Sequence, residues 1–422
     1  MSGWTTVLLK QSWFLKNIDD LSSGVVFLGT SPSRIDEVKM IKSKGFYYVA
    51  ECSEAGMWNR RRYLSYKAAR SNLALADLYL AWGQRHAEMV RERCDRLPIL
   101  VSGSPRMELS ISAHDIFSNE IEKLRQSYGR YILIVSNGRH QYSRFSRINA
   151  EHMAVDLANR FPGISLDEYR KIINEFMANG SVFWDAAKLV AKECPETKIV
   201  YRPRFGDDVS RIRDEFSGAN NVTVVEEGPI NALIAASQGV VHQSCTSGLE
   251  AVLMKKPNID FLPTQLSFPF EIADRAFKKA KSYSEIKTFI EVIMGGYNVE
   301  KYVVAHSSVE PYIANIGNRD SSSALIMQRL NKDLVDLPPL NKSLSGKMLP
   351  SRKFRQCFFD VSKTIKQIIR RPVEGGGVGP NYSEPLDIDS IKKYALLLGL
   401  EHDLAISEVS PGRAYVLQSK PN

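Results

Sequence analysis

The residues best suited to chemistry lie in Val240-Val241-His242-Gln243-Ser244-Cys245-Thr246-Ser247-Gly248-Leu249-Glu250-Ala251. An apolar strand pattern runs into small hydroxyl residues and a glycine, and a helical pattern follows from Gly248 to Lys255. A helix start carries N–H groups without intrahelical partners, which attract phosphate. Ser244, Thr246 and Ser247 add hydroxyls, and Gly248 is expected to let a ligand approach the backbone. Glu250 is placed to accept hydrogen bonds from a ribose. The competing reading is a Ser/Thr helix cap with nothing bound. His242 ends the strand beside this loop, either as a donor-site residue or as a satisfied structural histidine.

Two further loops follow strand patterns of the same region. Val200-Tyr201-Arg202-Pro203-Arg204-Phe205 puts two guanidinium groups at a strand end, suited to phosphate. Pairing of these arginines with Asp207 and Asp208 is the alternative. Ile134-Val135-Ser136-Asn137-Gly138-Arg139 supplies small residues, with Ser136 and Asn137 beside a ligand. Earlier, Val101-Ser102-Gly103-Ser104-Pro105-Arg106 closes another strand, and Arg106 is a cleft or linker residue. Glu54, in Glu51-Cys52-Ser53-Glu54-Ala55-Gly56, follows a strand pattern and is a candidate general base, against a solvated loop acid.

The elements that must position these groups alternate. Strand patterns at 24–29, 46–51, 77–82 and 98–102 are separated by helical patterns at 35–44, 63–76 and up to about 93. A second cycle starts with a strand at 131–135, followed by a long helical insertion to Glu193. Short strands at 198–201, 222–225, 239–242 and 259–262 then alternate with helices at 209–216, 230–236 and 248–255. This rhythm predicts α/β architecture: two Rossmann-like domains facing a cleft, with ligands at the strands' carboxyl ends. The expected limits are 1–124 for an N-terminal Rossmann-like domain, 125–335 for a second one and 336–422 for a basic tail with short helices.

Composition narrows the class. The chain has 422 residues, 44% apolar and 9% aromatic, enough for packed cores and against general disorder. Cys52, Cys94, Cys194, Cys245 and Cys357 form no C-x-x-C pair, and His86, His114, His140, His152, His306 and His402 show no metal-ligand spacing. No metal and no cofactor are expected. Asp387-x-Asp389 has the form of a metal-binding pair but follows no strand pattern. No apolar run spans a bilayer and no signal-peptide pattern opens the chain, so a cytoplasmic protein is expected.

The net charge of +9 is concentrated. Lys347, Arg352, Lys353, Arg355, Lys363, Lys366, Arg370 and Arg371 stand against Asp360 alone, which leaves the remaining chain near +2. Phe354, Phe358, Val361, Ile365 and Ile368 recur between them at helical spacing. Such a helix over 347–371 suits an anionic membrane surface, at the inner face of the cytoplasmic membrane, or packs on the protein with its charges solvated. No nucleic-acid recognition module is present, and no nucleic acid is expected.

Taken in order, Gly103-Ser104-Pro105-Arg106, Ser136-Asn137, Tyr201-Arg202-Pro203, Asn221-Val222 before Glu227-Gly228, His242 to Ala251 and Lys256-Pro257 resemble bacterial surface carbohydrate biosynthesis proteins. These are GT-B-like glycosyltransferases, related to capsule β-Kdo transferases and to teichoic-acid glycerophosphotransferases. The likeness spans roughly 20 to 265. It implies a nucleotide-sugar donor in the C-terminal domain, a glycan or lipid-linked glycan acceptor in the N-terminal domain, and metal-independent transfer. Glu54 matches an acidic spot of that family. Relatives usually carry R-P-H-P where this chain has Arg202-Pro203-Arg204-Phe205. Relatives also carry more strand–helix units before Gly24, so the first domain is expected to be shortened or incomplete. The alternatives are a nucleotide-sugar 2-epimerase, which shares the fold, and a catalytically inactive binding or scaffold subunit of a polysaccharide assembly complex.

Overall fold

The computed structural model describes residues 4–9, 14–15, 18–20, 24–29, 34–52, 54, 60–66, 70–137, 142, 150–160, 163–267, 269–317, 321–334, 355–359, 404–410 and 414–419. Contacts divide the chain into two units. The first comprises 1–53, 67–106 and 318–422, and the second 54–66 and 107–317.

The first unit is built on an eight-stranded sheet. Its strands are β1 (Trp4–Leu9), β2 (Val25–Gly29), β3 (Tyr47–Glu51), β4 (Leu78–Ala81) and β5 (Ile99–Val101), with three more from the C-terminal region. β2 to β5 pair in parallel in sequence order. β2, β3 and β4 are almost wholly buried apolar strands, as expected of a parallel sheet covered on both faces. The helix Ser322–Asp333 returns from the far end of the second unit's chain and packs Ile326 and Leu330 against Val25, Phe27, Val49, Leu78 and Leu80. Tyr47 Oη donates to Asp333 across this contact at 2.7 Å.

The second unit holds a six-stranded sheet: β6 (Tyr131–Val135), β7 (Lys198–Arg202), β8 (Val222–Val224), β9 (Gly239–His242), β10 (Asn258–Phe261) and β11 (Lys279–Ala280). Its order is β11-β10-β9-β6-β7-β8, all parallel. Counted along the chain this is the 3-2-1-4-5-6 order of the doubly wound dinucleotide-binding fold. The strand order reverses between β6 and β9, and a crevice opens at such a point beyond the strands' carboxyl ends.

One core fills one face of this sheet. Trp184 packs edge-on against Tyr201 and Phe216, and Phe289 and Ile293 cover β9. The helical insertion expected before Glu193 is present as Ala150–Arg160 and the 28-residue helix Leu166–Glu193. Ser165 and Glu168 start the long helix with a reciprocal capping box. It is roughly 42 Å long, against roughly 17 Å for a five-residue strand. Its C-terminal half joins the sheet core through Phe183, Trp184, Ala187 and Val190. Its N-terminal half forms a separate cluster with Ala154 of the preceding helix and with Leu262 and Leu266, which follow the carboxyl end of β10. The helix therefore overhangs the crevice side of the sheet.

β12 (Arg355–Phe359), β13 (Leu404–Ser410) and β14 (Ala414–Ser419) complete the first sheet in the order β13-β14-β1-β12-β2. β12 runs parallel between β1 and β2, and β14 runs antiparallel to β1. This corrects the expectation of a basic amphipathic helix over 347–371. At Arg355–Phe359 the backbone is extended, because neighbours on both sides offer ladder hydrogen bonds that helical spacing does not reveal. The rest of that segment, and Asp387 and Asp389, lie outside the described residues. Among the described residues no helix is long and apolar enough to cross a membrane.

Candidate functional site

The candidate site lies at the reversal point of the second sheet. β6 delivers Ser136 and Asn137, and β9 delivers Gln243 to Thr246. Asn137 Nδ2 donates to the Gln243 carbonyl at 2.8 Å, which ties the two loops together across the crevice floor. Ser136 is buried, its N–H bonded to the Arg202 carbonyl at 3.0 Å. The sequence brings these loops together only through the parallel pairing of β6 with both β7 and β9.

The helix after β9 spans Thr246–Leu253, with Cys245 as its N-cap in an extended conformation. It begins two residues before the start read from the sequence. Thr246 and Ser247 are thus its first helical residues, with their hydroxyls at the positive end of the helix dipole. Cys245 stands at the same helix start. Burial raises its thiol pKa, but His242 and the N–H groups of Gly248 and Ser247 outweigh this and pull it below the ordinary value. The N–H groups at that helix start are suited to hold a phosphate.

Gly248 has a different purpose from the one expected. A Cβ there would lie 2.2 Å from His242 Cε1 and 2.5 Å from Nε2. The imidazole, rather than a ligand, occupies the space that glycine leaves. His242 is fully buried, edge-on to Phe277 at 4.9 Å, with Nε2 3.4 Å from Asn258 Oδ1 and Nδ1 3.7 Å from Asp260 Oδ1. Burial lowers its pKa, but Cys245, Asp260 and Asn258 act more strongly and raise it. Its surroundings are those of a structural histidine that supports the loop.

Arg204 and Arg202 behave differently. Arg204 is exposed, and its Nη1 donates to the Asn137 carbonyl at 2.9 Å, so its guanidinium lies over the end of β6. Its N–H bonds to Asp207 Oδ2 at 2.8 Å, whereas Asp208 caps the helix Val209–Glu215 through the Arg211 N–H. Arg202 donates from Nη1 to the carbonyls of Val225 and Glu227 at 3.2 and 2.6 Å, and from Nη2 to that of Gly228 at 3.0 Å. It holds the loop after β8 in place.

Glu250 is 3% exposed within the helix Thr246–Leu253. Glu54 opens the excursion 54–66, which leaves the first unit's chain after β3 and belongs to the second unit. That excursion is fastened by Arg61, whose two terminal nitrogens grip Glu168 at 2.6 and 3.0 Å. Arg106 stands in the first turn of the helix Pro105–Ile111, where the first unit passes into the second.

Sequence reasoning missed Asp260, Asn179 and Thr264. Asp260 lies in β10 opposite His242 and takes both the N–H and the hydroxyl of Ser244. Asn179, on the overhanging helix, bonds Thr264 through both ends of its amide, and its carbonyl accepts from Gln243 Nε2 at 2.8 Å. A lone aspartate within Asn258-Ile259-Asp260-Phe261 was the available signal, since a carboxylate in a buried strand requires partners. Among the described residues no three His, Cys, Asp or Glu side chains gather as metal ligands.

No family model matches the chain, and no curated protein does. Among solved structures it is similar to the UDP-GlcNAc 2-epimerase from Neisseria meningitidis bound to UDP-GlcNAc. That match has 16% identity and a TM-score of 0.47, and it covers 76% of this chain and 79% of that one. It is also similar to the UDP-GlcNAc 2-epimerase of Methanocaldococcus jannaschii, at 12% identity and a TM-score of 0.46, covering 76% and 79%. The wall teichoic acid polymerase TagF is matched at 10% identity and a TM-score of 0.40, over 78% of this chain and 98% of that one. This is a likeness of overall architecture and says nothing of this chain's ligand.

Proposed function

We propose that the chain is a GT-B-type glycosyltransferase, moving a sugar from a nucleotide-activated donor to a bacterial surface-polysaccharide acceptor. The observation that carries this reading is the helix Thr246–Leu253 beginning at the reversal point of a 3-2-1-4-5-6 sheet, over loops already tied by Asn137. In this reading the donor diphosphate sits at the helix start. Thr246 and Ser247 donate to it through hydroxyls and N–H groups, and Arg204 adds positive charge from the side of β6. Leaving-group charge is then stabilised by fixed dipoles that need no reorganisation as the bond breaks. Arg202 shapes the loop after β8 instead of touching phosphate, and His242 supports the helix start from beneath. Glu54 is the proposed base for the acceptor hydroxyl.

The test is turnover of UDP-, CDP-, GDP- and TDP-activated sugars, with and without lipid-linked glycan acceptor, followed by nucleotide release. The reading expects release that depends on acceptor and falls at least tenfold in Ser247→Ala, the loss of about one charge-assisted hydrogen bond. Conversion of the donor sugar to its 2-epimer without acceptor would replace this reading with an epimerase. Nucleotide binding with no turnover of any donor would replace it with a binding subunit.

A further inference from the structure

We propose that Asp260 is the positioning residue of this diphosphate site, clamping Ser244 in a left-handed backbone conformation and so fixing where the helix at Thr246 begins. The inference rests on the functional reading above. Ser244 has φ of +40°, a left-handed region in which the Cβ of a non-glycine residue crowds the backbone. Its N–H donates to Asp260 Oδ1 at 2.5 Å, and its hydroxyl donates to Oδ2 at 2.7 Å. Both carboxylate oxygens are thus engaged by one residue. Ser244 is 3% exposed and Asp260 is fully buried.

The geometry explains why a charge is tolerated there. Asp260 sits in β10 in register with His242, the last residue of β9. From that position its carboxylate reaches the loop that leaves β9. The chain has only Gln243, Ser244 and Cys245 in which to turn from strand to helix. Gln243 is held from two sides, by Asn137 at its carbonyl and by Asn179 at its side chain. Ser244 takes the turn itself, and Asp260 holds it. A buried carboxylate is costly unless its oxygens are hydrogen-bonded; Ser244 supplies a bond to each oxygen, beside His242 Nδ1 at 3.7 Å from Oδ1, so this clamp gives Asp260 a role that packing alone does not. Because the helix start follows directly, a change at Ser244 re-aims the hydroxyls and N–H groups of Thr246 and Ser247.

The clamp is needed because residue 244 has a Cβ. Glycine adopts positive φ freely, so glycine at 244 makes Asp260 dispensable. The experiment is calorimetric titration of the full chain with UDP and with CDP, for wild type, Asp260→Asn, Ser244→Gly, Ser244→Ala and the double variant Asp260→Asn/Ser244→Gly. Folding of each is checked by circular dichroism. Asp260→Asn is expected to weaken nucleotide binding about tenfold or more, since the carboxamide loses the charge that strengthens both bonds and can hold the Ser244 hydroxyl only with Nδ2 as donor. The double variant is expected to return to within about threefold of Ser244→Gly. Ser244→Ala is expected to bind more weakly than Ser244→Gly, although alanine preserves more of the side chain.

Folded Asp260→Asn that binds as tightly as wild type overturns the clamp and leaves the nucleotide site standing. So does a folded double variant that glycine fails to rescue, because a purely packing role for Asp260 is indifferent to residue 244. If Asp260→Asn does not fold, the comparison of alanine with glycine at 244 decides: tighter binding by the alanine variant overturns the proposal. Wild type that binds neither UDP nor CDP, nor CMP, GDP or TDP in the same titration, removes the site, and the proposal falls with it.

Discussion

Gly248→Ala is expected to destabilise the second unit, and its sign separates two effects. Gly248 lies within the helix Thr246–Leu253 and is absent from the positive-φ glycines. By helix propensity alone, alanine would gain about 1 kcal/mol. Against this, the new Cβ would lie 2.2 Å from His242 Cε1 and 2.6 Å from Nδ1. Ordinary contact needs more than 3.4 Å, so the ring must retreat by over 1 Å. It has nowhere to go, since it is fully buried between Phe277, Asn258 and Asp260. Overpacking of a filled core typically costs about 1–3 kcal/mol and can cost more. The upper half of that range less the propensity gain leaves a net loss of about 1–2 kcal/mol, or a Tm roughly 2–8 °C lower for a unit of this size. Thermal unfolding followed by circular dichroism measures this. The double variant Gly248→Ala/His242→Ala is expected to be more stable than the sum of the singles by about 2 kcal/mol, because removing the ring removes the clash. An unchanged or raised Tm for Gly248→Ala would refute the steric argument and with it the account of why glycine stands at the helix start.

Other expectations follow from the same surroundings. Lys256 is pulled down to about 8, first by burial and then by Arg125. A folded pKa below the unfolded one means that the unfolded chain binds more protons between pH 8 and 10.5, so stability rises with pH across that window. Wild type should gain on Lys256→Met there by up to about 3 kcal/mol, with no change in their difference below pH 8, in urea unfolding. Cys245 should react with iodoacetamide faster than an ordinary thiol, and bound nucleotide should slow it; equal rates with and without saturating nucleotide would count against placing the ligand at this helix start. Trp184→Ala should cost about 3–5 kcal/mol, because the indole packs against Tyr142, Tyr201 and Phe216 at the centre of the core.

Much of the second unit is legible in the chain. Its strands are short apolar runs and its helices amphipathic, and the loop from His242 to Gly248 announces a strand–turn–helix through its small hydroxyl residues. The roles within that loop are less legible, because they depend on pairing over distance. Asp260 meets Ser244 only because β10 lies beside β9 in register. Arg202 reads as a phosphate ligand, yet the path of the loop after β8 brings three carbonyls to it. Gly248 reads as a glycine that admits a ligand, and the structure fills its space with His242. At Arg355–Phe359 helical periodicity misleads, since a strand inserted between β1 and β2 is fixed by partners more than three hundred residues away. The excursion 54–66, which carries Glu54, is likewise set by contacts such as Arg61 with Glu168 that no local pattern contains.

The central claim is that a nucleotide diphosphate binds where the helix Thr246–Leu253 begins. The direct measurement is a thermal-shift series of the full chain with CMP, CDP, UDP, GDP and TDP, with Ser247→Ala and Arg204→Ala beside wild type. A ligand at a hundredfold its Kd stabilises the folded state by about 2.7 kcal/mol. The account predicts a raised Tm with at least one diphosphate, reduced in both variants. A wild-type Tm that none of the five nucleotides moves, or a shift that both variants retain in full, would contradict it.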